Sequence, residues 1–513
     1  MLMSNHFTKR RILRTAIALV IVGLCCLTQS YAQKNQRYLA LTLVNEGDQY
    51  KGLADIKKAQ EVGLNAVLLT VQRGSIHGQL AGVLRQENGA DYNLWQQYDD
   101  QINLAVSLGM RVGLNINVAT GDSVSHGESG PYGVTTGDGW SPEERVLCVG
   151  LDGTEAVYQK YGGLMRPPAL HVQHVMTSLA AASTKARIKR FTMEVINRYQ
   201  YLQDAGKLLY VNLVWTRAQE GEFDFGTDKW ADGKPLNLET FNSFTDYSPP
   251  IVADYRRWLA TEYSNDVTLL NKKWETSYAQ FEDIQPKSPK SGAIFSGPDG
   301  NDWYRYRTQL LKETNALFKR AVARVDSSVR VISQHGSVYD RISFFRNTFS
   351  FDEIAADLDG IKINDALVYD HRFALDLVRS NSPNKFYVNE AEYAGPTVGI
   401  APLIQLAEES FDHGASAVAF FRLDSAAIVA NASALKSLVK NYLKNPITKI
   451  NAQNTDQFQL SSMIDTNANS GGCHTTNRDN YHEDCDAYRI WTEAYQKAGN
   501  KPVNIFIKND LKY

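Results

Sequence analysis

The chain has 513 residues, with 54 Lys and Arg against 56 Asp and Glu, a formal net charge of −2 and 43% hydrophobic residues. This balance excludes a disordered chain, which would have far fewer apolar residues and a larger net charge. The near-neutral charge also argues against nucleic-acid partners, because phosphate binding needs clustered Lys and Arg.

The N-terminus has the pattern of a secretory signal peptide. Four basic residues precede an apolar run over residues 16–27, which is shorter than the roughly 20 residues that a membrane-spanning helix needs. Small residues then predict cleavage after Ala32, so that the mature protein is secreted or periplasmic. Lipidation at Cys25 or Cys26 is the competing interpretation, but a bulky leucine precedes the pair.

After the signal, short β-branched runs alternate with longer amphipathic runs, as strands and helices do in a parallel sheet. The predicted strands cover residues 38–44, 65–71, 111–118, 208–215, 330–334, 360–364, 385–389 and 417–422. Eight strand–helix units over about 410 residues predict an α/β fold, a (β/α)8 TIM barrel. We place the barrel at 33–444, with insertions at about 119–183 and 224–300. Residues 445–513 are expected to form a C-terminal extension, such as a small β appendage.

Two pairs of glutamates follow strands of this barrel at the end where active sites lie. Glu220 and Glu222 follow the fourth strand, and Glu390 and Glu392 follow the seventh. These two positions face each other across the barrel mouth. Glycosidic bonds are cleaved by such carboxyl pairs, in which one protonates the departing oxygen and the other attacks or stabilises the sugar. The spacing of two leaves open which member of each pair acts, and solvated or ion-paired glutamates are the structural alternative.

Other polar and aromatic residues near strand ends are candidates for binding sugar hydroxyls or stacking on a sugar ring. They are Glu46, Asn117, Trp215, Gln219, His335, Asp365, Tyr393 and Arg422. Taken alone, each of them is better explained by a structural role, for instance a buried histidine at His335 or core packing at Trp215, and only their shared location favours binding.

The mature chain keeps an odd number of cysteines, of which two bracket a polar loop near the C-terminus. We predict that Cys473 and Cys485 close this loop as a disulfide in an oxidising compartment. His474 and His482 permit a zinc site instead, but their spacing matches no standard zinc module. The sequence also lacks phosphate-loop, dinucleotide, zinc-protease and serine-hydrolase motifs. We therefore expect no metal and no organic cofactor.

One stretch resembles a known family. Residues 246–284 (DYSPPIVADYRRWLATEYSNDVTLLNKKWETSYAQFEDI) are similar to the insertion of glycoside hydrolase family 42 and related clan-A barrels, with an aromatic-rich helix, a short "LN..W" helix and "F.DI". Residues 187–223 also look like that group, whose acid/base Glu follows strand four, usually after an Asn. The resemblance implies a retaining β-glycosidase with a Glu nucleophile and a Glu acid/base. The Asn is replaced here by Gln219 or Gly221, so galactose specificity is not carried over.

We therefore expect a secreted retaining glycoside hydrolase that acts on a β-linked oligo- or polysaccharide. Glu220 is preferred over Glu222 as acid/base because Gln219 keeps an amide beside it. Glu390 is preferred as nucleophile because it lies closer to the strand end, whereas Glu392 with the following Tyr looks like the clan's Glu–aromatic motif.

Two alternatives stay open at this stage. The first is a carbohydrate-binding barrel without catalysis, and the second is an inverting hydrolase or a transglycosylase on the same fold. The expected partner is a carbohydrate, with no nucleic acid and no membrane span after signal removal. A homo-oligomer is a further expectation, for which the resemblance suggests a trimer.

Overall fold

Short apolar runs form the strands of a closed parallel barrel in the computed structural model of the protein. The structure describes residues 36–43, 49–73, 94–118, 123–126, 146, 148–149, 157–160, 170–175, 177–216, 220–223, 246–287, 295–336, 346–348, 350–365, 370–444, 450, 452, 455–459 and 486–511. Within these residues, no helix combines the length and the hydropathy that a membrane crossing requires.

The strands are numbered along the chain. They are β1 (Tyr38–Thr42), β2 (Ala66–Gln72), β3 (Arg111–Asn117), β4 (Ser123–His126), β5 (Val157–Lys160), β6 (Leu170–Val175), β7 (Leu208–Val214), β8 (Val331–His335), β9 (Gly360–Asp365), β10 (Phe386–Glu392), β11 (Ala417–Phe421), β12 (Thr455–Gln459) and β13 (Asn504–Lys508). Eight of them, β1, β2, β3 and β7 to β11, pair in parallel in that order, and β11 pairs back with β1 to close the barrel. The predicted (β/α)8 barrel is confirmed.

The helices are numbered in the same way. They are α1 (Gln49–Glu61), α2 (Leu94–Ser107), α3 (Ala182–Asp204), α4 (Pro249–Glu262), α5 (Val267–Trp274), α6 (Gly297–Ala323), α7 (Phe351–Ile354), α8 (His371–Asn381), α9 (Ala401–Asp412), α10 (Ser425–Ala430), α11 (Ala432–Tyr442) and α12 (Asp486–Lys497). The barrel strands are buried on both faces, which explains why their sequences are nearly continuous apolar runs.

The barrel interior is filled at its lower end by a separate cluster of apolar side chains. It comprises Tyr38, Ala40, Ala66, Leu68, Leu209, Tyr210, Ile332, Phe386, Val388, Ala417 and Ala419. Glycines on neighbouring strands leave room for the large rings of this cluster. A Cβ at Gly113 would lie 3.1 Å from the Tyr210 ring, and a Cβ at Gly360 would clash with the backbone of Phe386. Polar residues lie above this floor, toward the carboxyl ends of the strands.

Two insertions interrupt the strand–helix alternation. The first contains β4, β6 and β5, which form a three-stranded antiparallel sheet. The second contains α4, α5 and a single 3-10 turn, Phe281–Asp283. Aromatic side chains of α4 and α6 pack together here, with the rings of Tyr255 and Trp303 4.9 Å apart. These aromatics are therefore structural.

The C-terminal residues pack against the outside of the barrel. Strands β12 and β13 pair in parallel, with α12 between them in the chain. The backbone of β13 is hydrogen-bonded to α8: Ile505 N donates to Ser380 Oγ at 2.9 Å, and Ile507 N donates to Asn381 Oδ1 at 2.8 Å.

Candidate active site

The first side of the site is a short segment that follows β7. Trp215 N donates to Glu220 O at 3.0 Å, and Gly221 N donates to Gln334 O at 2.8 Å. A Cβ at Gly221 would lie 2.8 Å from Leu213 O, so only glycine fits between the two strands. The segment is therefore fixed across the carboxyl ends of β7 and β8.

Both glutamates of this segment converge on one guanidinium. Arg346 forms ion pairs with Glu220 and with Glu222. Glu222 Oε2 also accepts hydrogen bonds from Gly336 N at 3.2 Å and from Asn347 Nδ2 at 3.4 Å. Glu222 is fully buried, whereas Glu220 is 4% exposed. Of the two carboxyls, Glu220 is the one that solvent reaches.

The second side of the site is Glu390, an inward residue of β10 that is 4% exposed. Its Oε2 accepts a hydrogen bond from Thr42 Oγ1 at 2.6 Å and lies 2.8 Å from Lys362 Nζ. The same ammonium donates to Gln334 Oε1 at 3.3 Å, and Asn212 Nδ2 donates to that oxygen at 2.8 Å. A continuous polar network therefore joins five of the eight barrel strands.

Tyr210 forms the floor beneath this network. Its side chain is fully buried. This burial, and to a smaller extent the negative charge of Glu390, raises the pKa of the phenol well above its ordinary value. The phenol is therefore neutral. Its ring packs on Phe386 with the centroids 6.3 Å apart, which keeps the lower barrel dry.

Glu392 occupies the rim, one inward position above Glu390. It pairs with Arg422 at 2.5 Å, and the Arg422 side chain is 60% exposed. Arg422 closes β11 with a left-handed backbone, φ 59°. Glu392 thus has the ion-paired surface environment that was the alternative for every glutamate of the set.

Several other predicted residues are buried around the site. Asn117 lies at the end of β3, Trp215 packs in the main hydrophobic core, and Tyr393 is hydrogen-bonded through its backbone N to Phe421 O at 2.9 Å. Trp215 is 1% exposed, so its ring offers no open face to a sugar in this structure.

His335 is also fully buried, with Nε2 3.0 Å from Ser333 Oγ and its ring against Phe351. Burial lowers the pKa of His335 to about 3. The imidazole is therefore neutral at physiological pH and serves as a packed polar residue. Its Nδ1 lies 3.9 Å from Glu222 Oε2, which adds to the enclosure of that carboxyl.

Some predictions lie outside the described residues. They concern residues 1–35 with the signal peptide, Glu46, Gln219, the side chain of Asp365, and the pair Cys473 and Cys485. Cys148 is described, and its side chain is buried. In the part of the chain that the structure describes, no group of three or more His, Cys, Asp or Glu side chains is arranged to hold a metal ion.

The sequence reasoning missed several residues of the site, among them Thr42, Gly336, Arg346 and Lys362. Lys362 carried a signal, since it is a lysine between two isoleucines in a barrel strand. Arg346 carried none, because it belongs to no strand end and meets the two glutamates only through the fold.

Comparisons with known proteins relate part of the chain to one family. The model of glycoside hydrolase family 42, described as beta-galactosidase, matches residues 237–462. No curated protein sequence matches the chain.

Solved structures share the fold at low identity. The beta-galactosidase of the psychrophilic Marinomonas ef1 matches with a TM-score of 0.61 and 14% identity, covering 92% of this chain and 70% of that one. A catalytic mutant of a family 42 beta-galactosidase from G. stearothermophilus matches with 0.59 and 13%, covering 93% and 67%. The catalytic domain of a beta-amylase from Paenibacillus polymyxa matches with 0.56 and 12%, covering 80% and 98%. The chain is thus a (β/α)8 barrel, and its residues 237–462, which include the insertion motif, are similar to glycoside hydrolase family 42.

Proposed function

We propose that the protein hydrolyses a β-linked oligo- or polysaccharide with retention of configuration, through a glycosyl-enzyme formed on Glu390. The observation that carries this proposal is the placement of two carboxyls, Glu220 and Glu390, at the ends of the fourth and seventh barrel strands. Both are largely buried, but each keeps a small solvent-exposed surface. Neighbouring cations hold each of them in place.

The chemistry divides into two balanced steps. In the first, Glu390 bonds to the anomeric carbon while the glycosidic C–O bond breaks, and the departing oxygen takes a proton from Glu220. In the second, water attacks the same carbon, its proton passes to Glu220, and the bond to Glu390 breaks. Neither step uses a metal or an organic cofactor.

Three Glu→Gln variants test these roles. Glu220→Gln and Glu390→Gln should each lose activity by roughly 10²-fold to 10⁴-fold or more, while Glu392→Gln, the matched control at the rim, should stay within a few-fold of the wild type. A 2-deoxy-2-fluoro glycoside should label Glu390 in a peptide mass map. Proton NMR should show the β-anomer first, and an α-anomer would overturn retention.

The sugar is a separate question. The beta-galactosidases and the beta-amylase that share the fold are named for different substrates, and the Asn that precedes the acid/base in family 42 is absent here. A panel of plant, algal and bacterial glycans identifies the substrate, and binding to a glycan without turnover by the wild type would favour the carbohydrate-binding alternative.

Export is part of the proposal and is supported by the sequence. The basic and apolar N-terminal segment predicts a mature chain that begins at Gln33, and Cys473 and Cys485 are proposed to pair in that oxidising compartment. N-terminal sequencing of the protein recovered from outside the cytoplasm tests the cleavage site. Light scattering of the purified protein tests the proposed homo-oligomer.

A further inference from the structure

Lys362 is an unusual residue for the interior of a barrel. It lies on β9 with no exposed surface, and lysines are almost never fully buried unless they are paired. Removing an ammonium from water costs several kcal/mol even when a partner is present. An apolar side chain would fill the same position at lower cost, so the position calls for a functional explanation.

The contacts of Lys362 are all directed at the candidate nucleophile and its surroundings. Its Nζ lies 2.8 Å from Glu390 Oε2 and 3.3 Å from Gln334 Oε1. Thr42 Oγ1 donates to the same Oε2 at 2.6 Å, from the other side of β10. Among the described residues, none donates to Glu390 Oε1. One carboxylate oxygen is thus fixed by two donors, while the other is left for the substrate.

We propose that Lys362 is a positioning residue that fixes Glu390 through Oε2 and speeds the release of the sugar from Oε1. This inference rests on the proposed function. In the glycosyl-enzyme, Glu390 is a neutral ester. When water attacks the anomeric carbon, the C–Oε1 bond breaks and its electron pair returns to the carboxylate. An ammonium held beside Oε2 stabilises that returning charge, and does so strongly because the site is shielded from water.

This role predicts that removing the charge of Lys362 slows the second step, the hydrolysis of the glycosyl-enzyme. Lys362→Met keeps the approximate length of the side chain without its charge. With dinitrophenyl β-glycosides of galactose, glucose and xylose as probes, the first step is fast because the leaving group needs no protonation. We expect kcat to fall about tenfold to a hundredfold and KM to fall with it, because the glycosyl-enzyme accumulates. A pre-steady-state burst and an intact mass increased by one glycosyl unit should accompany the change.

The chain offers a matched control and a second variant. Lys273 is also largely buried and pairs with a buried carboxylate, Asp302, at 3.4 Å, but it lies on α5 outside the barrel. Lys273→Met should leave kcat, KM and the burst unchanged. Lys362→Gln keeps a hydrogen-bond donor and is the variant to use if Lys362→Met does not fold, with the same burst expected. Ethylammonium should partly restore kcat in Lys362→Ala.

The outcomes separate this inference from the proposed function. Unchanged kcat and KM in both Lys362→Met and Lys362→Gln, or a loss of kcat with unchanged KM and no accumulated intermediate, would overturn the role of Lys362 while wild-type turnover and labelling of Glu390 stand. A wild-type protein that neither turns over a glycoside nor labels at Glu390 would overturn the proposed function, and the role of Lys362 with it.

Discussion

The four glutamates at the barrel mouth differ in how far solvent reaches them. Glu392 is on the rim and pairs with an exposed arginine, Glu222 has no exposed surface, and Glu220 and Glu390 lie between these extremes. A carboxyl that exchanges protons or bonds with a sugar needs a dry environment and also access to the substrate. This combination favours Glu220 and Glu390 over their neighbours two residues away.

Azide separates the two glutamates of the first pair. In Glu220→Ala, a small anion can enter the space left by the acid/base and attack the glycosyl-enzyme, so azide should restore turnover of a dinitrophenyl glycoside and give a β-glycosyl azide. In Glu222→Ala, the space is enclosed by Arg346, Gly336 and Asn347, so no rescue is expected. Rescue of Glu222→Ala alone would reverse the assignment.

Glu222→Gln should also lower the free energy of unfolding by about 1–3 kcal/mol, measured by urea denaturation.

His335 should make the stability of the protein depend on pH. Burial lowers its pKa to about 3 in the folded state, whereas an unfolded histidine titrates near pH 6.5. The stabilising preference for the neutral ring is fully present above about pH 6.5 and is lost as the pH falls toward 3, because the unfolded chain binds a proton that the native state does not. The slope is at most about 1.4 kcal/mol per pH unit.

His335→Gln removes this dependence. The difference in unfolding free energy between wild type and variant should shrink steadily as the pH falls from about 6.5 to 4, measured by urea denaturation at each pH. A constant difference across that range would show that the pKa of His335 is the same in the folded and the unfolded chain.

At the scale of elements, the alternation of strand-like and helix-like runs predicts the barrel. The positions of the site residues depend instead on contacts between residues far apart in the chain. The prediction ended the seventh strand at residue 389, but β10 continues to Glu392. Glu390 and Glu392 therefore share its inward face, and Glu392 lies nearer the rim. Sequence spacing could not distinguish them, because it does not show how far along the strand the barrel interior ends. The segment after β7 does not continue the strand, because its hydrogen bonds to β8 and the ion pairs with Arg346 fix it as a loop. Those partners are more than 100 residues away in the chain.

Gly336, directly after β8, tests how closely this loop is fitted. A Cβ there would lie 2.7 Å from Glu220 Oε1 and 3.0 Å from Glu222 Oε1. Gly336→Ala should therefore displace the carboxyls and lower kcat/KM by at least about tenfold, at an overpacking cost of about 1–3 kcal/mol. Gly52→Ala is the control, because its Cβ would also meet a side-chain end, that of Gln101, outside the site. Full activity in Gly336→Ala would mean that neither carboxyl needs its present position.

At the scale of the whole molecule, one buried carboxylate adds to the backbone hydrogen bonds of β13 that join the C-terminal residues to the barrel. Asp376 on α8 accepts hydrogen bonds from Trp491 Nε1 and from Val503 N, both at 3.0 Å. It also pairs with Arg379 at 2.7 Å and lies 3.0 Å from His413 Nδ1. The same aspartate thus joins α8, the end of α9 and the C-terminal extension, through partners that are not residues of the candidate site.

Asp376→Asn should therefore destabilise the protein without a specific effect on catalysis. Removing one partner of a buried ion pair costs about 3–5 kcal/mol, so the thermal midpoint should fall by several degrees, while kcat and KM at a temperature where the variant is folded should match the wild type. Glu493→Gln on α12 is the matched control, since the partner of Glu493 among the described residues is the exposed Arg489 and such pairs contribute about 0–1 kcal/mol. If the extension were an independent appendage, Asp376→Asn would leave the main transition unchanged and melt residues 445–513 alone, which limited proteolysis would detect as early cleavage there. A single shifted transition with no early cleavage is the result that the contacts of Asp376 predict, because these contacts join the extension and the barrel into one cooperative unit.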